Sequence, residues 1–307
     1  MTSPGRMLYL LRRNMKQGWD AAHHESKTLP RITEWSWPYW NEKPQTVPIH
    51  LLTGANDWRL AAWMLASFFQ ATECTWPIVI HEDGTLTEEG RTTLLKLFPQ
   101  ARIIGRVEAD AALAPVLLPF PFCADYRKQH PLSMKLFDIP HFAVGSRFLI
   151  LDSDVLFFSY PREIMDWVKS GADECWFNED VQEGSLITGA EAMSELNVRP
   201  WARVNSGLCL LSKSAIDLDL CDRALAQTSI PSGHVWRIEQ TLLMLCASQA
   251  NRGGLLPRTY EVSLGKHAAE DAVARHYVGA VRHRFYAEGL KRMAPILLPV
   301  PEEVGKK

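Results

Sequence analysis

Asp152 and Asp154 stand two residues apart, directly after the apolar run Phe148-Leu-Ile-Leu151. Side chains at i and i+2 of an extended segment point to the same side, so this pair can share one hard cation. Two carboxylates fill only part of an octahedral Mg2+ or Mn2+ shell, and a substrate diphosphate supplies the missing oxygens. The motif itself is weak. With 15 Asp in 307 residues, such a pair arises by chance about 0.7 times per chain, and a second one, Asp217-Leu-Asp219, is present. That one follows Ser214 in the first turns of an amphipathic segment, where acidic side chains meet a helix N-terminus favourably, and it reads as structural. Position separates the two, because ligands of open α/β sheets bind at the carboxyl ends of strands.

The elements that must place the first pair are legible in the pattern. Ile49 to Thr53 reads as a buried strand, Gly54 and Asn56 as a turn, and Trp58 to Gln70 as a helix, which makes one βα unit. Trp76 to His81 is a second strand, ending in the turn Glu82-Asp-Gly84, and Thr87 can cap a helix with its body at Glu88 to Leu97. Ala101 to Ile104 is a third strand, Leu132 to Phe142 a helix, and Arg147 to Leu151 a fourth strand, apolar on both faces. Beyond Asp154 come a helix over Pro161 to Lys169, a strand over Glu174 to Phe177 and a polar excursion over Asn178 to Arg203. A strand over Val204 to Ser212 and helices over Ser214 to Ala226 and Trp236 to Gln249 complete the order. Alternating strands and helices imply an α/β fold with a mostly parallel sheet between helical layers. No internal repeat is visible. The domain limits expected are an N-terminal extension over 1–45, one catalytic domain over 46–290 and a tail over 291–307.

Composition removes several function classes. Thirty-three Lys+Arg against 35 Asp+Glu leave a net charge of -2, which gives no general drive toward a phosphate backbone, so nucleic acid is not an expected partner. The six cysteines, Cys74, Cys123, Cys175, Cys209, Cys221 and Cys246, show no zinc-ligand spacing and read as reduced, buried thiols. No apolar run reaches membrane-spanning length, since Ala111 to Phe122 is broken by Pro115, Pro119 and Pro121. The apolar stretch Met7 to Leu11 is too short for a secretory core, and a cytoplasmic protein is the expectation. A phosphatase of the haloacid dehalogenase type also sets an acidic pair after an apolar strand, its first Asp being the nucleophile. There the motif usually lies near the domain start, and the second Asp precedes a small residue. Here Val155 follows, and about 150 residues come first.

Six segments in order carry a resemblance: Thr53-Gly-Ala-Asn-Asp57, Ser133-Met-Lys-Leu136, Phe148 to Leu156, Asn205-Ser-Gly207, Glu239-Gln240 and His276-Tyr-Val-Gly279. Over about 230 residues the chain resembles the GT-A fold nucleotide-sugar glycosyltransferases, and among them the glycogenin-like family 8. The resemblance implies a metal-dependent retaining transferase that takes a sugar from a nucleotide diphosphate, with UDP-hexose as the donor. The acceptor, whether glycan, lipid or protein, is left open. It further implies that Asp152, Asp154 and His276 ligate Mn2+ or Mg2+, the imidazole favouring Mn2+. Lys135 and Arg282 would add charge at the leaving diphosphate, with Ser153 and Gly279 beside it. Asn205, Glu239 and Gln240 would line the sugar as the catalytic set. Thr53, Asn56 and Asp83 would meet the nucleoside, with Trp58 or Arg59 over the base. Three departures are visible: Arg282 stands where the family has Lys, Glu239 stands where it has Asp, and no Lys-Pro-Trp follows Gly279.

Each residue also has a plainer reading when taken singly. Lys135 alone would be a solvated helix residue, His276 a structural histidine and Glu239 a surface carboxylate. Trp35, Trp37, Tyr39 and Trp40 could stack on an acceptor, but the area large aromatics bury favours a tail anchored on the core. His23 and His24 read as solvated. A catalytically inactive relative that only binds a nucleotide sugar is the alternative from another class, and metal-dependent donor hydrolysis without acceptor separates the two.

Overall fold

The computed structural model describes residues 12, 15, 17–38 and 44–298. Among them the strands are β1 (Ile49–Thr53), β2 (Ile78–Glu82), β3 (Ala101–Ile104), β4 (Arg147–Leu151), β5 (Val155–Phe157), β6 (Cys175–Glu179), β7 (Val204–Ser212), β8 (Gly253–Leu255), β9 (Tyr260–Val262) and β10 (Ala274–His276). The longer helices are α1 (Trp58–Thr72), α2 (Glu88–Leu97), α3 (Arg106–Leu117), α4 (Pro121–Gln129), α5 (Ser133–Phe142), α6 (Arg162–Ser170), α7 (Leu218–Gln227), α8 (Ile238–Ala250) and α9 (Lys291–Leu297). One sheet has the order β3-β2-β1-β4-β7-β6-β8, and a second has the order β5-β10-β9. In the first sheet β7 runs antiparallel to both β4 and β6, and the remaining pairings are parallel. This is the three-layer α/β arrangement expected from the strand and helix order.

The period of two along the strands sorts the core into two faces. Leu149 and Leu151 of β4 and Leu208 and Leu210 of β7 join one apolar cluster, together with α1. Phe148, Ile150, Cys209 and Leu211 join another, with residues of α5, α7 and α8. Helix α1 is buried nearly all round, as a helix packed inside a layered domain must be. All six cysteines are free and buried.

Where boundaries differ from the sequence reading, local chemistry explains them. Strand β2 starts after Pro77, which has no N–H for the ladder. Helix α7 starts at Leu218 because Asp217 caps it, accepting from the Leu220 N–H at 3.0 Å. The polar excursion contains short helical turns over Gly189–Glu191 and Ala192–Leu196. Pro121 opens α4 at its first turn, inside the apolar stretch whose prolines break the membrane pattern. The second sheet has no counterpart in the sequence reading, because its strands are three residues each, too short for a period of two to show.

The segment before β1 packs onto the same core. Leu29, Ile32 and Trp35 are buried in the α1 cluster, Trp63 donates to the Leu29 carbonyl at 3.0 Å, and Trp37 donates to the Leu97 carbonyl at 2.6 Å. Trp35 and Trp37 therefore anchor the chain to the core, whereas Tyr39 and Trp40 lie outside the described residues. His24, half-buried, is bonded to Thr28 rather than simply solvated. At the other end, Met293 and Leu297 of α9 bury into the same cluster. Among the described residues no helix is long and apolar enough to cross a membrane.

Candidate active site

The acidic pair sits in the tight turn between β4 and β5. The Asp152 N–H donates to the Gly207 carbonyl at 2.8 Å and the Asp152 carbonyl accepts from Val155 at 3.2 Å, which fixes the turn against β7. Strand β5 then pairs antiparallel with β10, placing His276 opposite Val155. That pairing brings the imidazole to the carboxylates. One ligand atom each from Asp152, Asp154 and His276 lies within 4.8 Å of the others; His276 Nε2 is 3.2 Å from Asp154 Oδ1 and 4.0 Å from Asp152 Oδ2. His276 Nδ1 is 2.8 Å from Asn205 Oδ1, an acceptor, so Nδ1 carries the hydrogen and Nε2 faces the acids. Asn205 is itself held by the Asp180 carboxylate at 2.9 Å and the Gly207 N–H at 3.0 Å. A Cβ on Gly207 would stand 2.2 Å from the imidazole, so the ring occupies a space that only glycine leaves open.

The donor set fits a hard or borderline divalent cation: two carboxylates, one imidazole and an outer amide that sets the tautomer. Burial lowers the His276 pKa, but Asp154 outweighs it and the net shift is upward. Burial likewise raises Asp154, yet His276 and Arg282 hold it below the usual carboxylate range. Nε2 and the two acids face the position a cation would take, so a cation and a proton would compete for Nε2.

A second polar group lies beneath the first. Lys135 of α5 is buried, with Nζ 2.9 Å from Asp152 Oδ1, 3.4 Å from Glu239 Oε1 and 2.9 Å from the Ser206 carbonyl. Burial lowers its pKa, but Asp152 and Glu239 dominate and the ammonium is firmly charged. The resemblance assigned Lys135 to the leaving diphosphate; the ammonium is instead engaged by the acids and backbone of the protein. Glu239, at the start of α8, is buried and accepts from Ser206 Oγ at 3.0 Å. Burial pushes it up to about 7 despite Lys135. Gln240 Oε1 accepts from the Ser206 N–H at 3.2 Å.

At the ends of β1 and β2, Asp83 lies over Gly54 so closely that a Cβ there would be 2.3 Å from both carboxylate oxygens. Asp83 Oδ1 accepts from the Thr85 N–H at 2.8 Å, and the buried Thr53 hydroxyl has no hydrogen-bond partner among the described residues. Arg282, in the turn after Gly279, reaches Asp57 at 3.1 Å and Asp154 at 3.3 Å.

These groups line a cavity of about 430 Å³: Thr53, Gly54, Asp57 and Asp83 at one end, then Asp152, Ser153, Asp154, His276, Gly279 and Arg282, then Lys135, Ser206, Gly207, Glu239 and Gln240. Four of the residues that the sequence puts forward are placed outside the lining: Asn205, Trp58, Asn56 and Arg59, whose guanidinium pairs with Glu89 at 2.5 Å. Asn205 stands behind the wall, holding His276. Trp58 is 2% exposed, because it opens α1 on the inward face, and its ring lies beneath the Arg59 guanidinium, 4.0 Å from centroid to Cζ. Asn56 is exposed on the turn outside the lining. His130 and Trp236 also line the cavity, and the sequence reading misses both. Trp236 stands three residues before Glu239, and that proximity is the only signal for it.

No protein-family model matches this chain, and no curated protein matches its sequence. Solved structures do match in fold. The bifunctional glycosyltransferase WbbM in its apo form aligns over 88% of this chain and 52% of its own, with a TM-score of 0.56 and 14% identity. This chain thus spans about half the length of WbbM. The galactosyltransferase LgtC, solved with donor and acceptor sugar analogues, aligns over 84% of this chain and 98% of its own, with a TM-score of 0.54 and 15% identity. The chain has the GT-A fold of these glycosyltransferases. The sheet order and the acidic pair at the carboxyl end of β4 are this chain's own expression of it.

Proposed function

We propose that this chain is a metal-dependent glycosyltransferase that moves a hexose from UDP to an acceptor with retention of anomeric configuration, residues 46–290 forming the transferase unit. The observation that carries the reading is the convergence of Asp152, Asp154 and His276, from two sheets, at the carboxyl end of a GT-A strand. These three would hold Mn2+ or Mg2+, which when bound neutralises charge on the departing nucleoside diphosphate. Arg282, tethered by Asp57 and Asp154, adds fixed positive charge beside it. Lys135 acts one step back, fixing Asp152 and compensating Glu239. The orphaned Thr53 hydroxyl and the Asp83 carboxylate, at neighbouring strand ends, suit a small base with alternating donors and acceptors such as uracil.

Retention is supported by the engagement of the lining carboxylates. An inverting transferase needs a free base for the acceptor hydroxyl. Here Glu239 is tied to Ser206 and Lys135, Asp57 faces Arg282, and Asp83 is at the nucleoside end. Glu239 and Gln240 would then stabilise a sugar with oxocarbenium character.

A thermal-shift panel tests the reading. UDP with Mn2+ at about 100 times its Kd is expected to stabilise the fold by about 2.7 kcal/mol, with the shift lost in EDTA. A larger shift from GDP or ADP would refute the base, and an equal shift from UDP in EDTA would refute the metal. An NMR time course is expected to show the retained anomer first, and slow donor hydrolysis with Mn2+ alone would exclude an inactive binder.

A further inference from the structure

Sheet order divides the cavity into two ends. Thr53 and Asp83 belong to the β1 and β2 side, the acidic turn to β4 at the centre, and Ser206 and Glu239 to β7 and α8 beyond it. If the nucleoside lies at the first end and the diphosphate at the metal cluster, the sugar and its acceptor must lie toward the last. Trp236 stands there, in the short turn Val235–Arg237 that runs into α8. It is 60% exposed, a large apolar area left in water at the mouth of a polar cavity. Among the described residues lining the cavity it is the single Phe, Tyr or Trp.

The indole is braced. Its ring centroid is 4.8 Å from that of His130 at 76°, an edge-to-face contact. His130 is fixed in turn, since Nδ1 accepts from the Leu132 N–H at 3.2 Å and its carbonyl accepts from Ser133 Oγ at 2.5 Å. A pyranose has an apolar face of C–H groups and a polar edge, so a rigid exposed ring beside the polar groups of α8 meets both requirements.

We propose that Trp236, braced by His130, is the platform on which the acceptor stacks, and that the acceptor group is therefore a sugar ring rather than a peptide side chain. This rests on the transferase reading above. The UDP and Mn2+ shift of the wild-type protein is measured first; if it is absent, that reading fails. With UDP and Mn2+ bound, saturation-transfer NMR against methyl α- and β-glycosides of glucose and galactose is expected to show transfer to ring C–H protons. Trp236→Ala is expected to lose that transfer and to raise the KM for a glycoside acceptor about tenfold, within the range of one aromatic contact, with kcat less affected. Trp236→Phe is expected to restore most of it, which a merely structural role would not require. Should the Ala variant fail to fold, the wild-type and Phe measurements decide. A wild-type shift with no glycoside signal, a signal on a Ser- and Tyr-containing peptide instead, or an unchanged KM in Trp236→Ala overturns the platform while leaving the transferase reading standing.

Discussion

The chain carries the same acidic spacing twice, and the two copies do different work. Asp152 and Asp154 end a strand in a turn that the second sheet closes with His276. Asp217 caps α7, with Gln249 donating to its other oxygen at 3.0 Å, and Asp219 forms an exposed pair with Arg223 at 3.0 Å. Around the first pair, neighbours converge on one point. Around the second, the two carboxylates go separate ways, Asp217 to the α7 N-terminus and Gln249 of α8, Asp219 to Arg223 of its own helix. The lesson is that spacing sets which side chains share a direction, and only what stands opposite decides whether they share a ligand. Imidazoles show the same contrast. His276 faces two acids and is pushed up, whereas His50 and His81, bonded to each other at 3.0 Å in the sheet interior, are both held down by burial.

The largest expected break in the comparison is in turnover. Asp152→Ala or Asp154→Ala should each cost on the order of 10² or more, as loss of a metal that stabilises the leaving group does, while Asp217→Ala and Asp219→Ala retain activity in the same assay. Equal losses from both pairs would remove the distinction. Next comes the cradle. Gly207→Ala puts a methyl into the His276 ring position, and Asn205→Ala frees the ring from its orienting acceptor. Each should weaken Mn2+ binding about 10- to 100-fold, as measured by titration calorimetry.

The buried imidazole pair sharpens the contrast through pH. Burial lowers His50 from 6.5 to about 3, so the folded state favours the neutral ring. The associated stability is therefore full above about pH 6.5 and is lost as pH falls toward 3. Urea unfolding across that window should show this decline, and a His50→Leu, His81→Leu double variant should flatten it. The smallest effect is at the second acidic pair. Asp217→Ala should lower stability by about 1 kcal/mol through the lost cap, with no change in Mn2+ affinity, and Asp219→Ala by only a few tenths.

Much of this was legible locally. The strand ending at Leu151, the Thr87 cap, the structural role of Asp217 and the alternation of strands and helices all follow from short-range periodicity and capping chemistry. Thr87 accepts from the Gly90 N–H at 3.1 Å, as its type and position imply. The helix over Arg106–Leu117 was not legible, because its apolar positions show little helical periodicity and Pro115 falls inside it.

The amino-acid sequence by itself determined six strands of the larger sheet, where the acidic pair falls after one of them and that the thiols would be buried, since each depends on residues within a few positions of one another. Tertiary structure alone decided that three-residue strands would pair to bring His276 to Asp154. It also decided that Asn205 would hold the ring, that Lys135 would be consumed by Asp152 and Glu239, and that Trp58 would turn inward while Trp236 stayed at the mouth. Those outcomes depend on contacts between residues far apart in the chain. A side chain's type states what bonds it can make, but only the packed neighbours determine which of those bonds are already taken.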